Sequence, residues 1–487
     1  MELDAGRGLI WQRASERIAD TMGLHFPEGR RADLQRGLDR AAGEFGCVDG
    51  AALAEWMLAT ELSAAQLRSL ASYLTVGETY FLRERKTFEA LAQHVLPPLL
   101  AAKRQRERRL RIWSAGCCTG EEAYSISILL QQIIPDLAEW HVSILATDIN
   151  ERFLQKASAG VYGEWSFRDT PPDFKERYFL RQPDGRYAIL PEIKQRVHFA
   201  SLNLVEDVFP SLTTDTNAMD LIFCRNVLMY FTHAQAVKVI ANFRRALVDD
   251  GWLMVSPTEA SQALFPDFKT SNHPGVILYQ KAKPQDRPAS TWTWSPPEPP
   301  PVPWTPPEPI PEALPQMPDT AQPSAQTLAT QHYKDGDYAE AIETLLSSAT
   351  PPGTARDYSL LAHSLANLGR LDQALEWCDR WLASDKLDAS AHYLRAVTLQ
   401  ELGRLEDAGL ALQRAIYLQP RLILAHFALG NLARNRGRHA EADKHFSNAL
   451  DLLHSHSADT VLPESDGLTA GRLAEIVTSF LSLETLS

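Results

Sequence analysis

The sequence predicts three folded regions of different class: an all-α region at the amino terminus, an α/β region built on a mostly parallel sheet, and a carboxy-terminal α-helical solenoid. Three observations predict this. Apolar residues recur at three- and four-residue spacing over residues 7–75, with no strand signal. From Leu110 to Lys281 short apolar runs alternate with helical stretches, the pattern of parallel strands joined by crossovers. Beyond residue 326 small residues recur with a period near 34. At about 150 residues per domain, a chain of 487 residues suits three domains, each large enough to bury a core without disulfides or metal.

In the first region, residues 1–76, the stretches LIWQRASERIADTMGL, GRRADLQRGLDRAAGEFG and SAAQLRSLASYL read as amphipathic helices. In the second, residues 77–283, the runs LRIWSAG, HVSILATDI, VHFASLN, MDLIFCRN, GWLMVSP and VILYQK read as strands. A proline-rich segment, 284–326, separates this region from the next, with 15 of the 31 prolines between Pro284 and Pro323. Proline removes backbone donors, so the segment builds no core and reads as a stiff spacer that spans about 120 Å when extended. Its other reading is a ligand for a proline-recognition domain.

Over 327–453, Gly336, Gly369, Gly403 and Gly437 recur at intervals of 33, 34 and 34, and Ala341, Ala374, Ala408 and Ala442 follow the same intervals. So do Ala329, Ala362, Ala396 and Gly430. Small residues at this period predict paired antiparallel helices in close contact, with each glycine ending the first helix of its pair. Blocks such as AHFALGNLARNRGRHAEADKHFSNAL resemble tetratricopeptide repeats, which implies a binding scaffold. In the remainder, 454–487, LAEIVTSFL reads as a capping helix, because a terminal repeat must cover an open core. HSADTVLPESDG before it reads as disordered coil.

Composition excludes several classes. A formal charge of -13 and a pI near 5.6 argue against general nucleic-acid binding. No run approaches the ~20 apolar residues of a membrane span, and MELDAGRGLIWQRASERIAD lacks the unbroken apolar core of a secretory signal. The five cysteines form no even framework, and the adjacent Cys117 and Cys118 suit neither a zinc pair nor a routine disulfide, which points to a reducing, cytoplasmic protein with no metal. Both read as small packed residues rather than redox groups. KRQRERRLR (103–111) reads as a solvated helix end, and His233 as solvent-facing.

In a parallel sheet, ligands bind beyond the carboxyl ends of the strands, and polar residues gather there. Gly116 and Gly120 bracket a tight turn after LRIWSAG, without the glycine or lysine pattern of a phosphate loop. Glu121 and Glu122 open the following helix, where an acid suits the dipole, repels phosphates and favours a cationic ligand. Asp148 ends the second strand, where an acid grips ribose hydroxyls or caps the next helix. Asn203 ends the third strand, and Arg225 and Asn226 the fourth. A nucleoside without phosphate but with a cationic centre points to S-adenosyl-L-methionine.

The motifs GETYFLRER (77–85), WSAGCCTGEEAYS (113–125), ATDIN (146–150), SLNL (201–204) and FCRNVLMYF (223–231) resemble the CheR family of chemoreceptor glutamate methyltransferases over residues 7–281. The attached repeats resemble the Wsp-type branch that carries a tetratricopeptide module. The resemblance implies a Rossmann-like methyltransferase sheet, S-adenosyl-L-methionine as cofactor, S-adenosyl-L-homocysteine as product, and the cytoplasmic domain of a methyl-accepting chemoreceptor as partner. It implies that Gly77, Thr79, Arg83, Glu121, Asp148, Asn203, Leu204, Arg225 and Asn226 line the cofactor, and that Arg83 and Tyr230 face the methyl-transfer centre. It also implies a small β insertion near 163–192 that docks on receptors, with Arg30, Arg31, Arg36 and Arg40 meeting acidic receptor helices. The repeats would bind an unknown protein or a second copy of the chain.

The sequence departs from the family at Gly77, where asparagine is usual, at Ala123 for proline, at Cys118 for serine, and in SPTE (256–259) for the frequent G-H-S-E. None of these removes a charge, so activity is expected to survive. A glutamate nucleophile is ionised at neutral pH and needs no general base, so the chemistry asks for alignment. A catalytically decayed scaffold that docks receptors or senses the cofactor is opposed by the retention of Arg83, Glu121, Asp148 and Tyr230. A small-molecule carboxyl methyltransferase is opposed by the docking insertion.

Overall fold

The structure, a computed structural model, describes residues 2–105, 108–205, 209–282, 324–348 and 351–484. The proline-rich segment expected over 284–326 lies outside the described residues up to residue 323.

Four helices form the amino-terminal region: α1 (Glu2–Met22), α2 (Arg31–Ala42), α3 (Gly50–Ala59) and α4 (Ala64–Leu74). Their buried faces carry the four-residue spacing read from the sequence: Ala14, Ile18 and Met22; Leu34 and Leu38; Leu53 and Met57; Leu70 and Leu74. Asp49 caps α3 on the Ala52 amide at 2.8 Å, and Ser63 with Gln66 forms a capping box on α4.

The α/β region begins with α5 (Arg85–Ala90) and α6 (Leu96–Arg104), continued by β1 (Arg109–Ala115), α7 (Glu121–Ile133), β2 (His141–Asp148) and α8 (Glu151–Ala159). The insertion holds β3 (Val161–Tyr162), α9 (Phe174–Tyr178), β4 (Phe179–Arg181), β5 (Tyr187–Ile189) and α10 (Pro191–Lys194). Then come β6 (Val197–Ser201), β7 (Met219–Phe223), α11 (His233–Ala246), β8 (Leu247–Met254), β9 (Phe268–His273) and β10 (Val276–Lys281). The main sheet has the order β6-β2-β1-β7-β8-β10-β9; its first five strands are parallel and the last two pairings antiparallel. The chain reverses its winding between β1 and β7, which opens a crevice at their carboxyl ends. Strand β9 was not foreseen; FKTSNH is an exposed polar edge without an apolar period. In the insertion a second antiparallel sheet has the order β3-β5-β4.

One face of the main sheet is covered by α5, α6, the helical turn Leu91–Val95 between them, and α7, through Phe88, Leu91, Val95, Leu96, Ile126 and Leu130. The other is covered by α11, whose Val239, Ile240 and Phe243 cluster with Trp113 of β1, Ile222 of β7 and Leu253 of β8, and with Leu145 of β2 at the margin. The crossover from β6 to β7 holds no helix among its described residues, so α11 has no counterpart over β2 and β6.

The repeat region stands over that part of the sheet, across an open cavity of about 1830 Å³ lined by both. It comprises α12 (Ala325–Asp335), α13 (Tyr338–Leu346), α14 (Ala355–Asn367), α15 (Leu371–Ser384), α16 (Ala389–Glu401), α17 (Leu405–Leu418), α18 (Ile423–Asn435), α19 (His439–Leu453) and α20 (Ala470–Glu484). Consecutive helices pair, and Gly336, Gly369, Gly403 and Gly437 each take left-handed φ between 70° and 77° after the first helix of a pair. The first helices of successive pairs, α12, α14, α16 and α18, contact one another and form the inner wall. That wall faces the main sheet. Arg109 and Arg111 of β1 both pair with Glu401 of α16, and Arg472 of α20 donates to the Ser201 carbonyl at 3.2 Å. Leu212, from the β6–β7 crossover, packs into all three core clusters of the repeats. The proline spacer leaves the pose of the repeats free on sequence grounds; buried ion pairs and this apolar plug hold them against the sheet. The coil before α20 also differs from expectation. Leu462, Ser465 and Leu468 are buried, and the loop closes on itself through the Leu462 amide and the Leu468 carbonyl.

Candidate functional site

An open cleft of about 1100 Å³ lies at the carboxyl ends of β1, β2, β6 and β7, against the amino-terminal helices. Thr79, Arg83, Asp148, Asn203, Leu204, Arg225, Asn226 and Tyr230 line it together, although up to 151 positions separate them.

The turn after β1 builds the floor. Gly116 has φ +78°, and a Cβ there would meet Val227 at 2.4 Å, so only glycine lets the two strand tips approach. The Gly116 and Cys117 amides donate to the Thr147 carbonyl at 2.8 and 2.9 Å. Cys118, also left-handed at φ 50°, points its amide at Asp148 Oδ2 (2.9 Å), while the Asn150 amide donates to Oδ1 (2.9 Å). Asp148 is thus fixed from both sides. Burial still pushes its carboxyl up to about 6, against the pull of those amides. Cys118 lines the cleft with its thiol pushed up to about 12 by burial and by Asp148, and burial pushes the Cys117 thiol up as well, which suits packed rather than nucleophilic thiols.

Arg225 organises the next tip. Its guanidinium, almost fully buried, donates to Glu122 Oε2 (3.1 Å), Glu84 Oε2 (2.9 Å) and the Arg83 carbonyl (2.6 Å). Burial raises the pKa of Glu122 while Arg225 and Ser114 oppose the rise. Asn226 is held left-handed (φ 60°), and its amide donates to Glu259 Oε2 at 2.8 Å. The buried Glu259 carboxylate also accepts from the amides of Val227, Met229 and Ser256 and from the Ser256 hydroxyl. The SPTE motif therefore places the acid that shapes the tip of β7. Its final residue was the signal for this role.

The amino-terminal helices form the opposite wall and are tied to the strand tips. Asn203 Nδ2 donates to the Thr21 carbonyl (2.7 Å), Asn150 Nδ2 to Thr75 Oγ1 (2.8 Å), and the His25 amide to the Tyr230 carbonyl (2.7 Å). Arg30 lies over the rings of Tyr230 and Phe26, 5.3 Å from each centroid. Arg83 sits at the rim beside Tyr80 and donates to the Glu78 carbonyl. Phe26, Phe153, Tyr80 and Phe231 add aromatic surface.

Glu121 and Gly77 are placed elsewhere. The Glu121 carboxylate turns away from the cleft, toward the insertion, and accepts from Thr119 Oγ1 (2.6 Å) and Ser166 Oγ (3.0 Å); its neighbour Glu122 lines the cleft instead. At a helix start the two side chains point about 100° apart, which spacing alone does not assign to a side. Gly77 lies on an exposed turn where a Cβ would come within 2.8 Å of the Phe153 ring. That ring fills the space beside the turn, and sequence reasoning missed it because an aromatic at a helix start reads as packing.

Among the described residues no group of side chains is arranged to hold a metal ion, and no helix is long and apolar enough to cross a membrane. The cleft suits a nucleoside with a cationic centre: a fixed carboxylate at the second strand, aromatic walls, a second buried acid, and no phosphate loop.

Comparison with known proteins agrees in kind. Residues 77–275 match the family model described as CheR methyltransferase, SAM binding domain, and residues 327–389 and 389–422 match tetratricopeptide repeat models. Chemotaxis protein methyltransferase 2 of Vibrio cholerae is 34% identical over 200 residues, 41% of this chain and 68% of that protein. Chemotaxis protein methyltransferase 1 of Pseudomonas aeruginosa is 35% identical over 213 residues, 43% of this chain and 75% of that protein. Over 398 residues, the probable biofilm formation methyltransferase WspC of Pseudomonas aeruginosa is 28% identical, covering 80% of this chain and 86% of that protein.

Proposed function

The chain belongs to the CheR methyltransferase family, with carboxy-terminal tetratricopeptide repeats, and from that premise we propose that it is a protein-glutamate O-methyltransferase acting on a methyl-accepting chemoreceptor. Its cofactor is S-adenosyl-L-methionine. Bound in the cleft, the cofactor supplies a methyl group on a sulfonium sulfur, which a carboxylate takes by in-line displacement to give a methyl ester and a thioether.

The observation that carries the reading is the division of charge in the cleft. Asp148 and Glu122 sit within it, Glu122 paired with the buried Arg225, and the guanidiniums of Arg83 and Arg30 stand along its lining with the rings of Tyr80 and Tyr230. Asp148 would accept the ribose hydroxyls, Thr79, Asn203, Leu204 and Asn226 would shape the nucleoside pocket, and Glu122 would face the cationic portion. Arg83 would orient the incoming glutamate by forked hydrogen bonds without holding its attacking oxygen, and Tyr230 would lie beside it. A substrate already ionised leaves alignment as the main task. The insertion would dock the receptor; Trp165 there is 71% exposed and stacks with Arg168 at 4.6 Å, a face suited to an acidic, partly apolar surface. The repeats would bind a protein partner. A cytoplasmic location fits an enzyme that acts on a receptor's cytoplasmic domain.

The test is incubation with radiolabelled S-adenosyl-L-methionine and a receptor signalling domain, followed by mild base. Label released as volatile methanol is the expected result. Label that resists base would refute ester formation, and cofactor binding without any transfer to receptor would favour a scaffold that senses the cofactor.

A further inference from the structure

The inner wall of the repeat array holds a piece of the chain itself. Between α19 and α20 the loop Val461–Leu468 turns into the groove with Leu462 and Leu468 buried as anchors. Two carboxylates at its tip meet side chains from three successive repeats. Tyr333 of α12 donates its hydroxyl to Asp466 Oδ1 at 2.6 Å, and Asn367 of α14 donates to that hydroxyl at 3.3 Å. His363 of α14 lies 3.1 Å from Glu464 Oε2, and Ser390 of α16 helps to stabilise the Glu464 charge. Burial opposes charge on His363, but the Glu464 hydrogen bond and the Asp466 charge outweigh it and raise its pKa; the same bond lowers that of Glu464.

Two features separate this from ordinary packing. The loop does not satisfy the groove: Asn367 Oδ1, Ser364 Oγ and His363 Nδ1 are buried without partners, as is Asp466 Oδ2 on the loop. Native interiors seldom leave so many polar atoms unpaired in one place. The loop also places two non-glycine residues in the left-handed region, Glu464 at φ 59° and Asp466 at 55°. Two non-glycine left-handed residues cost about 1 kcal/mol or more each, strain characteristic of segments that exchange.

We propose that the groove over Tyr333, His363, Asn367 and Ser390 is a recognition site for an acidic segment of a partner protein, with two carboxylates one residue apart, and that Glu464-Ser465-Asp466 occupies it in cis as a competitor. The chemistry is charge-assisted hydrogen bonding from donors on three helices to a pair of acids. The proposal rests on the reading that the repeats bind a protein, and it names the groove and the ligand class.

The experiment uses the full chain and two synthetic octapeptides: VLPESDGL, copied from 461–468, and its neutral form VLPQSNGL. Binding is read by fluorescence anisotropy, and its place by amide hydrogen exchange. In the wild type, saturating VLPESDGL should increase exchange at 461–468 and protect α12, α14 and α16. In Glu464→Gln/Asp466→Asn, which keeps both leucine anchors, VLPESDGL should bind about tenfold tighter than to the wild type, the worth of weakening one charged hydrogen-bond set. The neutral peptide should lose about tenfold on either protein. Equal binding of the two peptides would overturn the proposal by making the groove apolar-selective. Protection of the outer face between α15 and α17 would overturn this site and leave a partner role for the repeats standing. Absence of protection anywhere in the repeats would overturn both.

Discussion

Lowering the pH from 7 to 5 should weaken cofactor binding about tenfold, and Asp148 should carry the loss. In the folded, ligand-free protein its carboxyl is pushed up to about 6 by burial, although the Cys118 and Asn150 amides stabilise its charge. With that value the group is roughly nine-tenths ionised at pH 7 and one-tenth at pH 5, a ratio of about ten, or ~1.4 kcal/mol. A neutral carboxyl offers one acceptor fewer to ribose hydroxyls while two amides already occupy its oxygens. The shift is upward for an acid, so burial of the charge costs the free protein stability above about pH 6, and that cost fades as the carboxyl takes its proton. Calorimetric titration of S-adenosyl-L-homocysteine into the wild type and Asp148→Asn, from pH 5 to 8, measures the effect. The variant should bind more weakly at pH 7 and lack the step. The other ionisable groups of the cleft are common to both proteins, so only the difference between the two curves belongs to Asp148. A wild-type affinity flat across this range, or the same slope in Asp148→Asn, would refute the assignment of Asp148 as the ionised cofactor ligand.

Arg83→Ala should reduce methyl transfer to receptor at least a hundredfold, on the order of the gain ascribed to alignment, while the far-UV spectrum and melting temperature stay unchanged; transfer at the wild-type rate would remove Arg83 from the site. Arg225→Met should destabilise the fold by about 3–5 kcal/mol in urea unfolding, because it leaves Glu84 and Glu122 facing each other without their cation; adding Glu122→Gln should recover part of the loss. Glu401→Ala should cost about 2 kcal/mol by removing the carboxylate that the buried Arg109 and Arg111 share, although Arg111 keeps Asp215, and should separate the unfolding of the repeats from that of the sheet. A loss under ~0.5 kcal/mol would mean that the repeats do not dock on the sheet in solution.

Where local pattern and tertiary role coincide, the sequence was enough. The parallel strands were legible because β1 and β7 are buried on both faces and read as continuous apolar runs. The repeats were legible because glycine is needed at each helix end and alanine at each close contact, at a constant period. Asp148, Asn203, Arg225 and Asn226 were legible as polar groups just past apolar runs, where parallel-sheet geometry gathers ligands. The polar edge strand β9 was not legible, since pairing on one side selects no apolar period. Nor was the exchange of Glu121 for Glu122, which depends on the azimuth of a helix that packing sets.

By itself, the sequence determined the α/β class, the solenoid and the chemistry of the strand tips, because each follows from short-range periodicity and residue type. Tertiary structure alone decided that Phe153 fills the space beside Gly77, that Glu259 shapes the tip of β7, and that Glu401 meets two arginines of β1. It also decided that the acidic loop before α20 lies in the groove rather than in water. Each of these pairs groups far apart in the chain, and their energies arise only when folding removes both partners from solvent.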